Sequence, residues 1–426
     1  MGSQQSTGKI TKKNKIVELY DQEITNFPPI PKDNQLQTLS ITSCKIAELP
    51  IPLPKLLNLT VSHTLDEVIP QEFQNSILSY TKLEHLDLTG NKLKEFPQFI
   101  NQIKDLKTLN LFYNQISELD LSLKNIETLN IGHNKFINIP PLPTTLVSLT
   151  FSYNLLKTLD FSLPKLTHLS LELIGLNSIN ESLVFPKLKT LNLSKNILMS
   201  VPDLKTLCPV IENLNLSDNL LHNFPPPPST IKVYNVSSNQ ITEIPDIIAD
   251  LHNLTFLDVS KNKLTYIPQL TDTIEDFIFT HNHVTKVKPS FTPNLKRLWF
   301  RNNELTEYPK YESTKVKDAG FSHNRISKID VNILNPNVIR IEGPFNSITA
   351  IPSNVFKLVH LSSLLLQNNE ITTIPSSITN SRILSILNLS NNPIEELPQL
   401  PETLQQLYVA NCKLKSLGNC LRNCGQ

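Results

Sequence analysis

The sequence predicts an α/β solenoid in which a curved parallel β-sheet lies on a concave face and short helices and extended segments lie on a convex face. Two observations predict this fold. A pattern of apolar residues recurs roughly every 20 to 23 residues along almost the whole chain. Within each repeat the apolar residues alternate with polar ones over a short stretch, as they do in a strand with one buried face.

Composition limits the classes of function. Apolar residues make up 39% of the 426 positions, which is enough for a sizeable core, whereas only 9 residues are Gly, far below the ordinary share of about 7%. The 39 Lys and Arg nearly balance the 38 Asp and Glu, so the chain has no bulk attraction to nucleic acid. We find neither a long apolar window nor an apolar leader, and 5 scattered Cys argue for reduced thiols. We therefore expect the body of the protein to face the cytosol.

The repeat follows the pattern LxxLxLxxNxLxxLP, whose positions we number from its first leucine. Leu83 begins one clear copy, in which Leu86 and Leu88 occupy positions 4 and 6 and Asn91 occupies position 9. About 19 copies follow one another. Because a single repeat is too small to bury its own apolar side, neighbouring repeats must stack and place their strands side by side in a parallel sheet.

Position 9 predicts a ladder of buried amides. A buried Asn at this position can satisfy backbone groups of its own repeat and of adjacent repeats. Cys44 and Cys412 replace it as weak donors, whereas Gln22, Thr64 and Ile174 interrupt the ladder. The remaining repeats carry Asn91, Asn114, Asn134, Asn154, Asn196, Asn219, Asn239, Asn262, Asn282, Asn303, Asn324, Asn346, Asn369 and Asn392.

The segments that return the chain from one strand to the next are of two kinds. Longer ones, such as residues 244–254 and 351–361, show helical spacing and predict a turn or two of helix. Shorter ones, such as residues 139–146, 224–231 and 397–404, contain too much proline for a helix and predict extended chain.

These motifs resemble the leucine-rich repeat family over residues 14–417. The longer repeats are similar to intracellular Ras-group repeats, and the short proline-rich ones to bacterial-effector repeats. The resemblance implies a protein that binds other proteins, without a catalytic site or a cofactor. We expect three parts: a disordered lipid-anchor tail (1–13), the solenoid (14–417) and a short C-terminal tail (418–426).

The amino terminus predicts a membrane anchor. It matches MGxxx[ST], the signal for N-myristoylation of Gly2, and resembles the Src-like arrangement. One myristoyl chain binds a membrane only marginally, so a second signal is needed, and Lys9, Lys12, Lys13 and Lys15 provide a basic one. We therefore expect a cytoplasmic protein that is peripheral on the inner face of a membrane.

The concave face predicts a partner site in the carboxyl half of the chain. Position 5 is small or polar in most early repeats but becomes apolar or aromatic in several later ones, where the single Trp of the chain lies. Trp and Arg on a desolvated patch are typical of an interface hot spot. The partner-binding residues we predict are Phe256, Ile278, Arg297, Trp299, Arg301, Arg340, Phe345, Leu365 and Tyr408. A second, smaller group consists of Phe112, Tyr113, His133 and Tyr153.

The sequence motifs that could indicate a nucleotide site or a metal site are weak. Gly8 and Lys9 lack the other residues of a phosphate-binding loop, and His281 and His283 flank a ladder Asn without the further ligands that zinc requires. We therefore expect no metal, no small-molecule substrate and no nucleic-acid partner. The sequence favours a membrane-tethered scaffold or adaptor in intracellular signal transduction. The alternative is a regulatory repeat module associated with an enzyme such as a metal-dependent protein phosphatase or an adenylate cyclase.

Overall fold

The structure, a computed structural model, describes residues 10–416 except residues 21, 22, 24–26, 28 and 47. It is a parallel β-solenoid of about 18 turns with few helices, which confirms the predicted fold class. The chain divides into two compact units, an N-terminal unit that ends at Ile211 and a C-terminal unit that begins at Glu212. The predicted ends of the solenoid, at residues 14 and 417, stay predictions.

The N-terminal unit is built on one parallel sheet, in which β1 to β7, β9 and β11 follow one another in chain order. A separate small sheet joins β8 and β10. The strands described in this unit are β1 (Ile16–Tyr20), β2 (Thr38–Thr42), β3 (Asn58–Ser62), β4 (His85–Asp87), β5 (Thr108–Asn110), β6 (Thr128–Asn130), β7 (Ser148–Thr150), β8 (Thr158–Leu159), β9 (His168–Ser170), β10 (Ser178–Ile179) and β11 (Thr190–Asn192).

The C-terminal unit contains two successive parallel sheets, one of β12, β13, β14, β16 and β18 and one of β19 to β23. A small pair joins β15 and β17. The strands described here are β12 (Asn213–Asn215), β13 (Val233–Asn235), β14 (Phe256–Asp258), β15 (Tyr266–Ile267), β16 (Asp276–Ile278), β17 (Lys286–Val287), β18 (Arg297–Trp299), β19 (Asp318–Gly320), β20 (Arg340–Glu342), β21 (Ser363–Leu365), β22 (Ile386–Asn388) and β23 (Gln406–Tyr408).

The return segments differ as predicted. Segments 244–254 and 351–361 each contain a 3-10 helix, whereas the proline-rich segments 139–146, 224–231 and 397–404 contain neither helix nor strand. The helices are α1 (Gln71–Ser79) and α2 (Leu204–Leu207), with 3-10 helices at Gln98–Gln102, Asp246–Asp250, Val331–Ile333, Ser353–Lys357 and Ser376–Asn380.

The core is formed by the apolar side of each short strand. Leu86, Leu109 and Leu129 occupy position 4 of successive repeats, lie in register on neighbouring strands and are fully buried. Burial of a leucine side chain contributes about 1.5–3 kcal/mol relative to exposure. Since successive side chains of a strand point to opposite faces, burial of position 4 leaves the neighbouring positions 3 and 5 facing solvent.

The amide ladder at position 9 is present as predicted. Asn282 is representative: its Nδ2 donates to the carbonyl of Phe279 in its own repeat and to that of Val259 in the preceding one, both at 3.1 Å. Its Oδ1 accepts the N–H of Leu264 at 3.0 Å. Cys412 keeps only a weak bond of this kind, from Sγ to the carbonyl of Leu389 at 3.4 Å.

Two interruptions of the ladder are compensated. The hydroxyl of Thr64 accepts the N–H of Cys44 at 3.3 Å and donates to the carbonyl of Ser62 at 2.8 Å. Ile174 is buried, and its backbone carbonyl accepts the N–H of Leu156 at 2.7 Å. Gln22, the third interruption, lies outside the described residues.

Position 8 adopts the left-handed backbone conformation in nearly every repeat. Seventeen non-glycine residues hold φ between 49° and 60° there, from Ser43 to Asn411. This conformation costs a non-glycine residue about 1–2 kcal/mol, least for Asn and Asp. The side chains at position 8 form a row along one edge of each sheet.

Candidate functional site

The sheet of the C-terminal unit is interrupted between β18 and β19, since β18 ends one sheet and β19 begins the next. Past the strands the two repeats pair again: the N–H groups of Asn302 and Asn303 donate to the carbonyls of Ser322 and His323, both at 3.1 Å. The interruption is therefore a local gap confined to the strands.

We attribute the gap to aromatic residues in the core beneath it. Phe279, Phe300 and Phe321 occupy position 6 of three successive repeats, where most other repeats hold Leu, Ile or Val. Phe279 and Phe300 stack with ring centroids 5.6 Å apart, yet the strands above them, β16 and β18, stay paired. What distinguishes the next pair is Tyr308, which packs edge-on against both Phe300 and Phe321 and takes up additional room beneath β18 and β19.

A pocket of about 500 Å³ lies over this gap on the solvent side of the sheet. Trp299 lines it and is 50% exposed, so the indole presents a large apolar surface to solvent. Volumes of this size are usual for ligand pockets or for the anchor side chain of a partner. The pocket is lined by Thr280, His281, Trp299, Arg301, Asn302, Asp318, Ala319, Gly320, Arg340 and Glu342.

Arg301 crosses the pocket. Its Nη2 donates to Glu342 Oε2 at 2.7 Å, although the two residues belong to repeats separated by the whole repeat of β19. The guanidinium passes over Gly320, where a Cβ would lie 3.6 Å from Nη2 and 3.7 Å from Nε. A Cβ would make an ordinary contact at these distances, so Arg301 needs a residue no larger than Ala at position 320.

The other charged groups of the pocket differ in pairing. Arg297, just outside it, makes a bidentate ion pair with Asp276, with Nε 2.6 Å from Oδ1. Arg340 and Asp318, which are exposed and in register on neighbouring strands, have no ion pair with any described residue. The pocket thus presents one unpaired cation and one unpaired anion beside the indole.

Only three of the predicted partner-binding residues, Trp299, Arg301 and Arg340, line this pocket. Phe345 lies at position 8 and stacks on His323, with ring centroids 4.2 Å apart. Tyr408 is on β23, the last strand of the sheet, and Leu365 on β21. Phe256 and Ile278 lie on β14 and β16 and are half-buried.

Glu342 and Gly320 contribute to the pocket but are absent from the predicted set. Both occupy position 5, in line with Trp299, so the position alone marks them as facing solvent. Their role depends on the reach of Arg301 across an intervening repeat. The repeat pattern contains no signal for a contact between side chains 41 positions apart.

The two histidines near the pocket have ordinary partners. His281 Nε2 lies 3.2 Å from Asn302 Nδ2, and His283 Nδ1 lies 3.1 Å from Glu304 Oε1. Within residues 10–416 as described, no three His, Cys, Asp or Glu side chains are grouped as a metal site would need. In the same part of the chain no helix is both long and apolar enough to cross a bilayer.

Part of the predicted membrane anchor is visible. Gly2 and Lys9 lie outside the described residues, whereas Lys12, Lys13 and Lys15 are exposed. Lys12 Nζ lies 2.6 Å from Asp33 Oδ2, and this hydrogen bond lowers the pKa of Asp33. An anionic lipid would have to compete with Asp33 for this lysine.

Comparison with known proteins identifies the repeat. Residues 82–103 match the family model described as Leucine Rich Repeat. The adenylate cyclase of Schizosaccharomyces pombe is 28% identical over 216 residues, which are 41% of this chain and 12% of that protein. Toll-like receptor 2 of Boselaphus tragocamelus is 32% identical over 141 residues, which are 29% of this chain and 18% of the receptor. The chain therefore spans less than a fifth of either relative.

Solved structures share the fold over most of the chain. YopM from Yersinia enterocolitica superposes with a TM-score of 0.72 at 24% identity, covering 95% of this chain and 88% of YopM. The Toll structure from a Drosophila Toll–Spätzle complex gives 0.62 at 18% identity, covering 89% of this chain and 62% of that one. The Arabidopsis receptor kinase HAESA gives 0.55 at 19% identity, covering 95% and 79%. At these identities the likeness shows the fold.

Proposed function

Since this chain is a leucine-rich repeat protein, we propose that it is a binding scaffold or adaptor that holds a protein partner on the sheet of its C-terminal unit. The proposal includes a tether to the inner face of a membrane through the amino-terminal tail, and a role in intracellular signal transduction. It includes no catalytic activity of the chain itself.

The observation that carries the proposal is the half-exposed indole of Trp299 above the gap between β18 and β19. Interface hot spots favour Trp and Arg at the centre of a concave patch, surrounded by polar groups that exclude water. Arg301 is already positioned by Glu342, so it needs little further ordering when a partner binds. Arg340 has no described carboxylate partner and is available for one on another protein.

Two structures of the same fold support a protein ligand. HAESA was solved in complex with the peptide hormone IDA and the co-receptor SERK1, and Toll in complex with Spätzle. Parallel solenoids of this kind present long rows of side chains that suit macromolecular partners.

The partner site is tested by affinity purification of the full chain followed by mass spectrometry, comparing wild type with Trp299→Ala. We expect Trp299→Ala to reduce capture of the wild-type partner about ten-fold or more and to leave the thermal midpoint nearly unchanged. Tyr266→Ala is the matched control, because Tyr266 is also exposed in the C-terminal unit but lies on β15, away from the pocket. Equal capture by all three proteins would reject the site.

The tether is tested separately. In cells given a clickable myristate analogue, the wild-type chain should be labelled and Gly2→Ala should not. In the myristoylated protein, changing Lys12, Lys13 and Lys15 to Gln should reduce membrane association relative to wild type. The reason is that each lysine near an anionic leaflet contributes about 1 kcal/mol to membrane binding. Equal labelling of wild type and Gly2→Ala would contradict the tether while leaving the partner site untouched.

A second candidate function is that of a regulatory repeat module linked to an enzyme. The similarity to a fungal adenylate cyclase over 216 residues favours it, although that stretch is only 12% of the cyclase. Sequencing the transcript beyond Gln426 decides between the two. A reading frame that continues into a catalytic domain would favour the enzyme-linked module, and a stop codon there would favour the scaffold.

A further inference from the structure

A row of aromatic side chains runs along the edge of the sheet in the N-terminal unit. We call it the aromatic ladder and define it as His63, Phe112, Tyr113, His133 and Tyr153. Ring centroids are 6.2 Å apart between His63 and Tyr113, 4.3 Å between Tyr113 and His133, and 5.8 Å between His133 and Tyr153. Phe112 packs edge-on against His133 at 5.8 Å. The rings therefore form one continuous surface over five successive repeats.

The repeat geometry places these rings. His63, Tyr113, His133 and Tyr153 all occupy position 8, where φ is between 49° and 60°. The left-handed conformation is unfavourable for large side chains, and Asn occupies the same position without that strain in Asn368 and Asn391. Tyr113 and Tyr153 at this position are thus a local cost that the fold does not require, whereas His, like Asn, adopts this conformation more readily.

Two glycines make room for the rings. A Cβ at Gly90 would overlap the imidazole of His63, which lies across the repeat between β3 and β5 and so reaches Tyr113. A Cβ at Gly132 would lie 3.1 Å from the ring of Phe112. Because side chains at either glycine would push a ring away, the glycines preserve the continuity of the aromatic ladder.

The aromatic ladder is open to solvent and already ordered. Tyr113 is 50% exposed and Tyr153 is 36% exposed. Tyr153 donates its hydroxyl proton to Glu172 at 3.0 Å. Burial alone would raise the pKa of Glu172, but hydrogen bonds from Lys195, Tyr153 and Asn192 hold it below its usual value, so the acceptor stays charged. An ordered, exposed aromatic surface is a candidate interaction site.

The side chains beside the ladder select among partners. At position 5 of the five repeats that the ladder spans lie Thr60, Asp87, Asn110, Asn130 and Thr150, and the one charged residue among them, Asp87, is an anion that accepts a hydrogen bond from Asn110 Nδ2 at 2.9 Å. A single-stranded nucleic acid would need a positively charged groove along its backbone as well as rings to stack on. The floor of the ladder has no cation, which disfavours that partner.

The spacing of the repeats fits a polyproline II helix. Neighbouring strands are about 4.8 Å apart, so Tyr113 and Tyr153, two repeats apart, are offset by about 9.6 Å along the sheet. A polyproline II helix advances about 9.3 Å per three-residue turn. A proline-rich segment lying along the ladder would therefore present the same face to every second repeat. Other proteins recognise such segments with grooves lined by aromatic side chains.

Two lysines near the aromatic ladder indicate which charge the partner carries. Lys135 and Lys157 follow the ladder residues of their repeats, His133 and Tyr153, by two and four positions in the sequence, and both are exposed. Lys135 Nζ donates to the neutral Gln115 Oε1 at 2.9 Å, and neither lysine is paired with a carboxylate of the described chain. A partner with acidic residues near these lysines would pair with them.

We propose that the aromatic ladder binds an acidic, proline-rich segment of another protein in the polyproline II conformation. Proline rings pack between the aromatic rings, and acidic side chains on one face of the segment lie toward Lys135 and Lys157. This site is separate from the Trp299 pocket, so either can exist without the other.

The test uses fluorescence anisotropy with the full chain and labelled peptides. The probe is four Pro-Pro-Glu triplets, which place every Glu on one face of the helix. Comparison probes are four Gly-Gly-Glu triplets, four Pro-Pro-Lys triplets and a single-stranded oligothymidine. We expect the Pro-Pro-Glu peptide to bind at least about ten-fold more tightly than the other three.

The variants separate stacking from charge. Tyr113→Asn and His133→Asn remove rings while keeping a residue suited to the left-handed conformation, and each should weaken Pro-Pro-Glu binding about ten-fold. Lys135→Glu should weaken Pro-Pro-Glu and improve Pro-Pro-Lys. Trp299→Ala, the control, should bind like wild type.

Any of four results would overturn the proposal. Three of them are equal affinity for the Pro-Pro-Glu and Gly-Gly-Glu peptides, tighter binding of the oligothymidine, and unchanged affinity in Tyr113→Asn. Absence of any peptide binding up to millimolar concentration would overturn it as well.

Discussion

Arg301 and Glu342 form an ion pair across an intervening repeat, with 2.7 Å between Nη2 and Oε2. Both ends are partly exposed, so the pair contributes little to stability. Its consequence is geometric: it holds the guanidinium over Gly320, in the pocket that Trp299 also lines.

Gly320→Leu should weaken partner capture about ten-fold, because the new side chain would occupy the space of the Arg301 guanidinium and separate it from Glu342. Gly320→Ala is the matched control, since a Cβ 3.6 Å from Nη2 is an ordinary contact. Capture assays and thermal unfolding of both variants check this prediction. Similar capture by the Leu variant and wild type would show that the position of Arg301 is irrelevant to binding.

Asn282→Ala should lower the free energy of unfolding by about 1–3 kcal/mol, because it leaves the buried N–H of Leu264 without a partner. The carbonyls of Val259 and Phe279 each lose one of two amide donors and keep the other, from Asn262 and Asn303. Urea denaturation followed by circular dichroism measures the change. Asn337→Ala serves as the control, as Asn337 is exposed and its side chain makes no hydrogen bond within the described chain. A loss below about 1 kcal/mol at Asn282 would mean that the amide ladder is dispensable.

Asp258→Asn should stabilise the protein at neutral pH. Burial raises the pKa of Asp258, which already accepts the N–H of Ser260 at 2.9 Å, as Asn235 accepts that of Ser237 in the preceding repeat. A raised folded-state pKa means that the ionised form is disfavoured in the fold, so this group destabilises the protein as pH rises through that pKa. Below the unfolded-state pKa of about 3.9 the carboxyl is protonated in both states.

The stabilisation by Asp258→Asn should therefore be largest near pH 7 and should shrink toward pH 4. Unfolding midpoints of both proteins at several pH values test this trend. A difference that grows as the pH falls would contradict the assigned direction of the pKa shift.

Cys208 should resist alkylation in the native protein. Burial, with a smaller effect from Asp203, raises the pKa of its thiol to about 12, so on the order of one thiol in ten thousand is ionised at pH 8. Cys412, which is partly exposed, should react at least a hundred-fold faster. Iodoacetamide labelling with peptide mass spectrometry, with and without urea, measures both rates. Comparable native rates would mean that the repeat around Cys208 opens readily.

The fold was predictable because its determinants are local and repeated. Residues like Leu86 at position 4 and Asn91 at position 9 recur with the same task in most repeats, so their period alone predicts the sheet and the amide ladder. The gap between β18 and β19 was not predictable from that period. It depends on how Phe300, Tyr308 and Phe321 share one volume in the core, which is a property of their packing in three dimensions.

The candidate site was predictable in part. Position 5 of the repeat indicates that Trp299 faces solvent. Positions 7 and 3, which lie on the same face of the strand, indicate the same for Arg301 and Arg340. Phe256 and Tyr408 face the same side of the sheet but do not line the pocket, because they lie on β14 and β23, and the repeat pattern does not show between which strands a pocket forms. The reach of Arg301 to Glu342 depends on a side-chain conformation that only the structure provides.

The scarcity of glycine has a consequence at the left-handed turns. Glycine at position 8 would relieve torsional strain in most repeats, yet seventeen of these turns carry a side chain. Each such residue costs the fold a small amount of stability and provides a point of chemical variation at a constant interval. The side chains at position 8 can therefore differ from one repeat to the next, and with them the binding specificity of this edge, while the buried residues of the repeats stay the same.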